Sequence, residues 1–260
     1  MGGRPDNGTL GRWLPLLGVL LVAALLKGAL LYANVIPFNA DEAVVGLMAR
    51  HILQGEGPIF FYGQAYLGSL DAWLIAGAFA LLGQSVLAIR LVQAALYLGT
   101  IFTTYLLGLK IYSSRWIAGT AAILLAIPTV LVTLYTTATL GGYGEVLLLG
   151  NILFLLALRL GENKDQGPGA RDKIPNPKSQ PQSARNPKNQ PPATSNQLPA
   201  TFIRRPSSAL GPPSSVALWT LLGFLSGLGF WGFALIGVSL LPIVIYLLFT
   251  EVTSGHRADG

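Results

Sequence analysis

Few residue types in this chain can do chemistry. There is no cysteine, and only two histidines, His51 and His256, are present. A disulfide framework and a thiolate metal site are excluded, and histidine-based catalysis has little to work with. Carboxylates remain. Asp41 and Glu42 stand side by side at the head of the stretch from Pro37 to Trp73, PFNADEAVVGLMARHILQGEGPIFFYGQAYLGSLDAW. It is the only sizeable segment that combines acids, basic residues and aromatics with hydroxyl or amide tips. Asn39 and Glu42 have the spacing of a capping box, which gives Glu42 a local task. Asp41 lies in the same first turn with none, and is the candidate reactive carboxylate. A further acid, Glu145, stands at the mouth of a later apolar run, directly after YTTATLGGYG.

The element that carries Asp41 reads as a short helix. Val44, Val45, Met48 and Ile52 recur at helical intervals, Asp41, Arg50 and Gln54 fall away from them, and Gly55 supplies a stop. Such a helix is too short and too polar to cross a bilayer. It is expected to lie at the interface with its apolar face down.

The rest of the chain is membrane-like. Of 260 residues, 52% are hydrophobic and only 11% charged, against about a quarter charged in an ordinary soluble domain. The formal charge of +6 does not point to nucleic acid, because the basic residues gather at helix ends and in one linker, as membrane orientation requires. Spans are expected at about 13–33, 86–109, 116–134 and 145–159, with an external loop over 34–85. The first is read as an uncleaved helix, since no small-residue cleavage site precedes Asn34. Leu67–Leu82 is too short to cross and is interrupted by Asp71. With the amino terminus cytoplasmic, one assignment puts Lys110, Arg115 and Arg159 inside and both Asp41 and Glu145 on the external face. Lys27, inside the first span, either snorkels to a headgroup or faces an anion in the interior. Residues 161–215, rich in Pro, Asn, Gln and Ser, read as a disordered cytoplasmic linker. Residues 216–250 return to membrane sequence as one helix or a hairpin broken around Gly229–Gly232. The expected fold is all-α: a polytopic transmembrane helix bundle with amphipathic juxtamembrane helices in the first external loop, residues 1–160 forming its amino-terminal membrane region.

In order along the chain come Asp41–Glu42 after a first span, the run Tyr62–Gly63–Gln64–Ala65–Tyr66–Leu67–Gly68–Ser69–Leu70, Ala88–Ile89–Arg90–Leu91, Gly141–Gly142–Tyr143–Gly144–Glu145, and Gly227–Leu228–Gly229–Phe230–Trp231. This pattern resembles the GT-C superfamily of integral-membrane glycosyltransferases, and within it the bacterial family-39 type related to protein O-mannosyltransferases. The resemblance covers roughly residues 13–159 and 216–249. It implies a sugar transferase of the bacterial plasma membrane. The donor would be a polyprenyl-phosphate sugar of undecaprenyl type, the acceptor a lipid, glycan or protein at the external face, and the outcome inversion. Members continue for several more spans, so this chain corresponds to an amino-terminal portion, whose competence alone is a separate question.

Carried over residue by residue, the resemblance makes Asp41 the base or acceptor-orienting carboxylate and puts Glu145 in the place of the second acid. Some members bind a divalent metal between these two acids and others need none, so the cofactor is left open. Transfer needs a carboxylate within reach of the acceptor hydroxyl and positive charge where the phosphate leaves. Arg90 is the first candidate for that charge, ahead of Arg50 and Lys27. Tyr62, Tyr66 and Tyr143 are placed to stack on a sugar, with Gln64 and Glu42 as further substrate contacts. The alternative is a non-enzymatic transporter or lipid-handling protein with Asp41, Glu145 and Lys27 along its path. The inverted symmetry expected of many transporters is not visible in the sequence.

Overall fold

The computed structural model describes the backbone of residues 9–165 and 215–258, and side chains over 13–162 and 216–251. Most of the 161–215 linker lies outside the described residues. Within them the chain is helical, apart from one hairpin: α1 (Thr9–Ala33), α2 (Ala40–Leu53), β1 (Phe60–Phe61), β2 (Gln64–Gly68), α3 (Leu70–Leu82), α4 (Val86–Tyr112), α5 (Arg115–Ala126), α6 (Val130–Tyr135), α7 (Tyr143–Asp165), α8 (Ser215–Gly232), a 3-10 turn at Ala234–Ile236, and α9 (Gly237–Ala258).

Four stretches are long and apolar enough to cross a membrane: Trp13–Ala33, Val86–Tyr112, Tyr143–Glu162 and Ala234–Glu251. By that measure the chain is a multi-pass membrane protein. α1 leaves Leu14, Leu17, Leu21 and Leu25 more than half exposed, and such a face suits hydrocarbon better than water.

Side-chain contacts fix the directions. Gln93 stands against Gly144, Asn151 donates to Thr103 and Thr104, and Lys110 pairs with Glu162. These matches advance together, so α4 and α7 run parallel. The chain between them must therefore return from the carboxyl-terminal end of α4 to the amino-terminal end of α7. α5 and α6 make that return, so the stretch read as a span over 116–134 is built of two short helices. Pro128 is the cause. The residue before a proline is pushed out of the helical region, and Ile127 sits at φ −109°, ψ 75°. Thr129 then restarts the helix by accepting from the Val132 N–H. α7 also outruns the expected end at 159 and reaches Asp165.

α2, the hairpin and α3 fill the loop between α1 and α4. The capping box forms as the sequence predicts, with Asn39 Oδ1 accepting from Glu42 N at 2.9 Å and Glu42 Oε2 from Asn39 N at 3.4 Å. Gly55, at φ +96°, follows the last turn. The apolar face of α2 does not lie down on lipid, however. Val45, Met48 and Ala49 are fully buried against Ile75, Ala76 and Phe79 of α3 and Ile89 of α4. At about 1.5 Å per residue α3 is roughly 20 Å long, short of a crossing. Asp71 at its start meets Gln93 of α4, and only three residues separate its end from the start of α4, so α3 packs against the amino-terminal half of α4.

The hairpin was not anticipated, being two residues on one side and five on the other. It ties the loop to the later helices through a bridge from Leu67 to Phe233, at the break between α8 and α9. That approach requires Gly68, where a Cβ would collide with the Trp231 carbonyl. Two further cores complete the bundle. Leu16, Ala23, Tyr97, Ile101, Ala118 and Ala122 pack α1 with α4 and α5, and Leu153, Leu160, Leu222, Ile236 and Ile243 pack α7 with α8 and α9.

Candidate functional site

Acids converge on one end of this bundle because helices begin there. The amino-terminal turns of α2, α3 and α7 carry Glu42, Asp71 and Glu145, and α4 brings Arg90 to Glu42 and Gln93 to Asp71. Helix amino termini carry partial positive charge and unsatisfied N–H groups, which favour carboxylates. Gly141 and Gly142, at φ +84° and +82°, give the turn that delivers Glu145 to this place, a conformation other residues rarely adopt.

The first cluster joins α2 to α4. Glu42 is completely buried and Arg90 is 4% exposed. Arg90 Nε donates to Glu42 Oε1 at 3.0 Å and Nη2 to Oε2 at 3.1 Å, while Nη1 reaches Asn34 Oδ1 at 3.4 Å. The guanidinium fork meets the carboxylate on both oxygens, which is the strong geometry for such a pair. Arg90 was the leading candidate for the leaving phosphate and Glu42 a candidate substrate contact. In this arrangement they hold each other, and together they hold α2 and the end of α1 on α4.

The second cluster joins α3 to α7. Asp71 is 5% exposed and Glu145 4%. Gln93 Nε2 donates to Asp71 Oδ1 at 2.9 Å, and the Thr139 hydroxyl donates to Oδ2. The carboxyl of Glu145 lies within hydrogen-bonding reach of Asp71, yet neither of its buried oxygens has a donor from another residue. Two carboxylates are both acceptors, so only a proton or another donor placed between them makes the contact favourable. Burial, and then the neighbouring Glu145 charge, push the Asp71 carboxyl well above the usual carboxylate range. Both acids line a small cavity of about 10 Å³ with Gly68, Gly142, Gly232 and Phe233, room for roughly one water.

The remaining predicted residues separate. Asp41 is half-buried in the first turn of α2 and does not line the cavity that Glu145 lines. It shares the end of the bundle with Glu145 but makes no pair with it. Asp41 and Glu145 are therefore not a ready ligand set for a divalent ion, and among the described residues no group of three or more His, Cys, Asp or Glu side chains has that geometry. Tyr62, Gln64 and Tyr66 sit together on the hairpin. Tyr62 bonds His51 Nδ1 at 2.9 Å and donates to Glu56 at 3.3 Å; desolvation, then the Glu56 charge, raise its hydroxyl above the usual value. Tyr66 is 70% exposed. Tyr143 packs its ring against Tyr135 and Phe233, beside the acid pair. Of the three cations considered, Arg50 alone is exposed; it lines an open groove of about 390 Å³ with Phe38, Glu42 and Gln84.

Lys27 does not snorkel. The residue is 2% exposed, and its ammonium donates to the Thr136 carbonyl at 2.9 Å and to the Thr136 and Thr137 hydroxyls at 2.8 and 2.6 Å, and lies 4.4 Å from the Tyr97 ring centre.

Sequence reasoning missed Asp71, Gln93 and Thr139. The signal for Asp71 was present. A single charge inside an apolar helix is expensive and marks function by default, but in the sequence Asp71 reads as an interruption and as an alternative anchor for Arg90, which the structure pairs with Glu42 instead. Thr139 in TTATLGG carried no signal of its own. No protein-family model, curated protein or solved structure matches the chain.

Proposed function

We propose that this chain is a membrane glycosyltransferase module of GT-C type, moving a sugar from a polyprenyl-phosphate donor to an acceptor hydroxyl at the external face of the plasma membrane. One observation supports this most. The two acids that follow the first span have been given different tasks. Glu42 is consumed by the α2 cap and by Arg90, while Asp41 remains half-open, at the same end of the bundle as the Asp71–Glu145 pair.

In the proposed reaction Asp41 takes the proton of the acceptor hydroxyl. The acceptor oxygen attacks the anomeric carbon from the face opposite the leaving group. The bond from that carbon to the phosphate oxygen breaks, and its electron pair leaves with the polyprenyl phosphate. The configuration inverts. Asp71 and Glu145 hold a proton and a negative charge at the same end of the bundle, behind the surface that carries Asp41, and Arg50, the exposed cation, takes over from Arg90 as the side chain facing the phosphate. Tyr62, Gln64 and Tyr66 on the hairpin offer sugar contacts.

The test is transfer from radiolabelled polyprenyl-phosphate hexoses in membranes containing the chain, or the chain supplemented with the later spans of a GT-C enzyme. Transfer by the wild type that disappears in Asp41→Asn at equal insertion is the expected result. Equal transfer by both proteins would remove Asp41 from the mechanism.

The buried acids favour one other reading, a proton-linked transporter, because ionisable pairs inside a bundle also mark proton paths. Uptake that follows a proton gradient in vesicles holding the pure chain would replace the transferase.

A further inference from the structure

We propose that the groove between α1 and the α5–α6 break binds one anionic phospholipid of the bilayer, its phosphodiester lying opposite the Lys27 ammonium. The groove has a volume of about 530 Å³, within the roughly 300–1,000 Å³ of small-molecule sites. Its walls are apolar, formed by Leu26, Leu30, Val35, Ile127, Val130 and Leu134. Leu26, Val35, Ile127 and Val130 are exposed, so the groove opens sideways, where acyl chains would lie in a membrane. Pro128 makes the space by interrupting the α5–α6 helix at this level.

The charge at the floor says which lipid. The four contacts made by Lys27, to Thr136 twice, to Thr137 and to the Tyr97 ring, are all with neutral groups. No carboxylate lies within ion-pair distance of it among the described residues. A buried cation surrounded by neutral groups is hydrogen-bonded but not compensated, and in a low-dielectric setting that is costly. One missing negative charge is what a phosphodiester headgroup carries. A zwitterionic lipid brings its own cation and supplies none. The three ammonium protons already point at threonine oxygens, so the lipid is attracted by charge across the groove and not by a new hydrogen bond. The occupant is also not the reacting donor, because no carboxylate lines this groove and nothing there can take an acceptor proton. The lipid would clamp α1 to the turn that leads through Thr139 to Glu145. The site stands independently of the transferase chemistry.

The test uses the purified, delipidated full chain in detergent. Its Tm is followed on adding phosphatidylglycerol, phosphatidylcholine or undecaprenyl phosphate, with retained lipid identified by native mass spectrometry. Binding to the folded state alone raises Tm. Phosphatidylglycerol is expected to raise it by about 4 °C or more and to be retained, with phosphatidylcholine giving no such shift. Lys27→Met should abolish the difference. Val130→Trp, at an exposed position on the rim, should abolish it without lowering the basal Tm, and carries the test if Lys27→Met does not fold. Equal shifts with both phospholipids, or a preference that survives both substitutions, would overturn the proposal. A larger, Lys27-dependent shift with undecaprenyl phosphate would also overturn it, and would make the groove a carrier-lipid site.

Discussion

Two pairs of buried acids' neighbours at one end of the bundle were solved in opposite ways. Glu42 meets Arg90 through two hydrogen bonds, and every oxygen of the carboxylate has a donor. Asp71 meets Glu145, another acid, and the Glu145 oxygens have none. The first arrangement is complete and holds α2 in place. The second is unfinished, and buried polar groups are rarely left that way without a reason. The contrast makes the second pair the one whose removal separates the proposed chemistry from the fold.

The largest expected effect is on the complete pair. Removing one partner of a buried ion pair strands the other and costs about 3–5 kcal/mol. Glu42→Ala or Arg90→Ala should therefore abolish monodisperse, folded protein in fluorescence-detected size exclusion. Normal behaviour of either variant would mean the pair is not structural.

The unfinished pair should respond with the opposite sign. Glu145→Gln replaces an unsatisfied acceptor with an amide that can donate to Asp71, and removes a like charge, so Tm should rise, by the equivalent of about 1 kcal/mol. Asp71→Asn should do the same. The pH dependence follows from the raised Asp71 value. The folded state binds this proton more tightly than the unfolded state, so stability falls as pH rises from the ordinary carboxylate range through the folded value. The advantage of Asp71→Asn over wild type should widen over that interval. A constant difference would place the charge elsewhere.

Asp41→Asn should have the smallest effect on stability, within about 0.5 kcal/mol, since its side chain is half-open and Asn keeps its shape. A large loss of Tm would show that Asp41, like Glu42, holds the fold.

How much of this was legible follows from the range of each interaction. The capping box at Asn39 and Glu42, the stop at Gly55 and the failure of residues 67–82 to cross were all readable, because each depends on neighbours within four residues or on length. The break at Pro128 was readable too and was passed over, since hydropathy alone runs smoothly through it. The pairing of Glu42 with Arg90 spans 48 positions, and that of Lys27 with Thr136 spans 109. No local pattern encodes such contacts. They arise only when the helices are assembled. The charge of Asp71 was legible but its role was not, because its partners come from α4, from α7 and from the turn before α7.

The most direct test of the division between the two pairs is sugar transfer by Glu145→Gln beside wild type, at matched insertion and under the conditions in which wild type turns over. The account predicts a stably folded protein whose transfer is lost. A Glu145→Gln protein that transfers sugar as fast as wild type would contradict it, and would reduce the unfinished pair to an accident of packing.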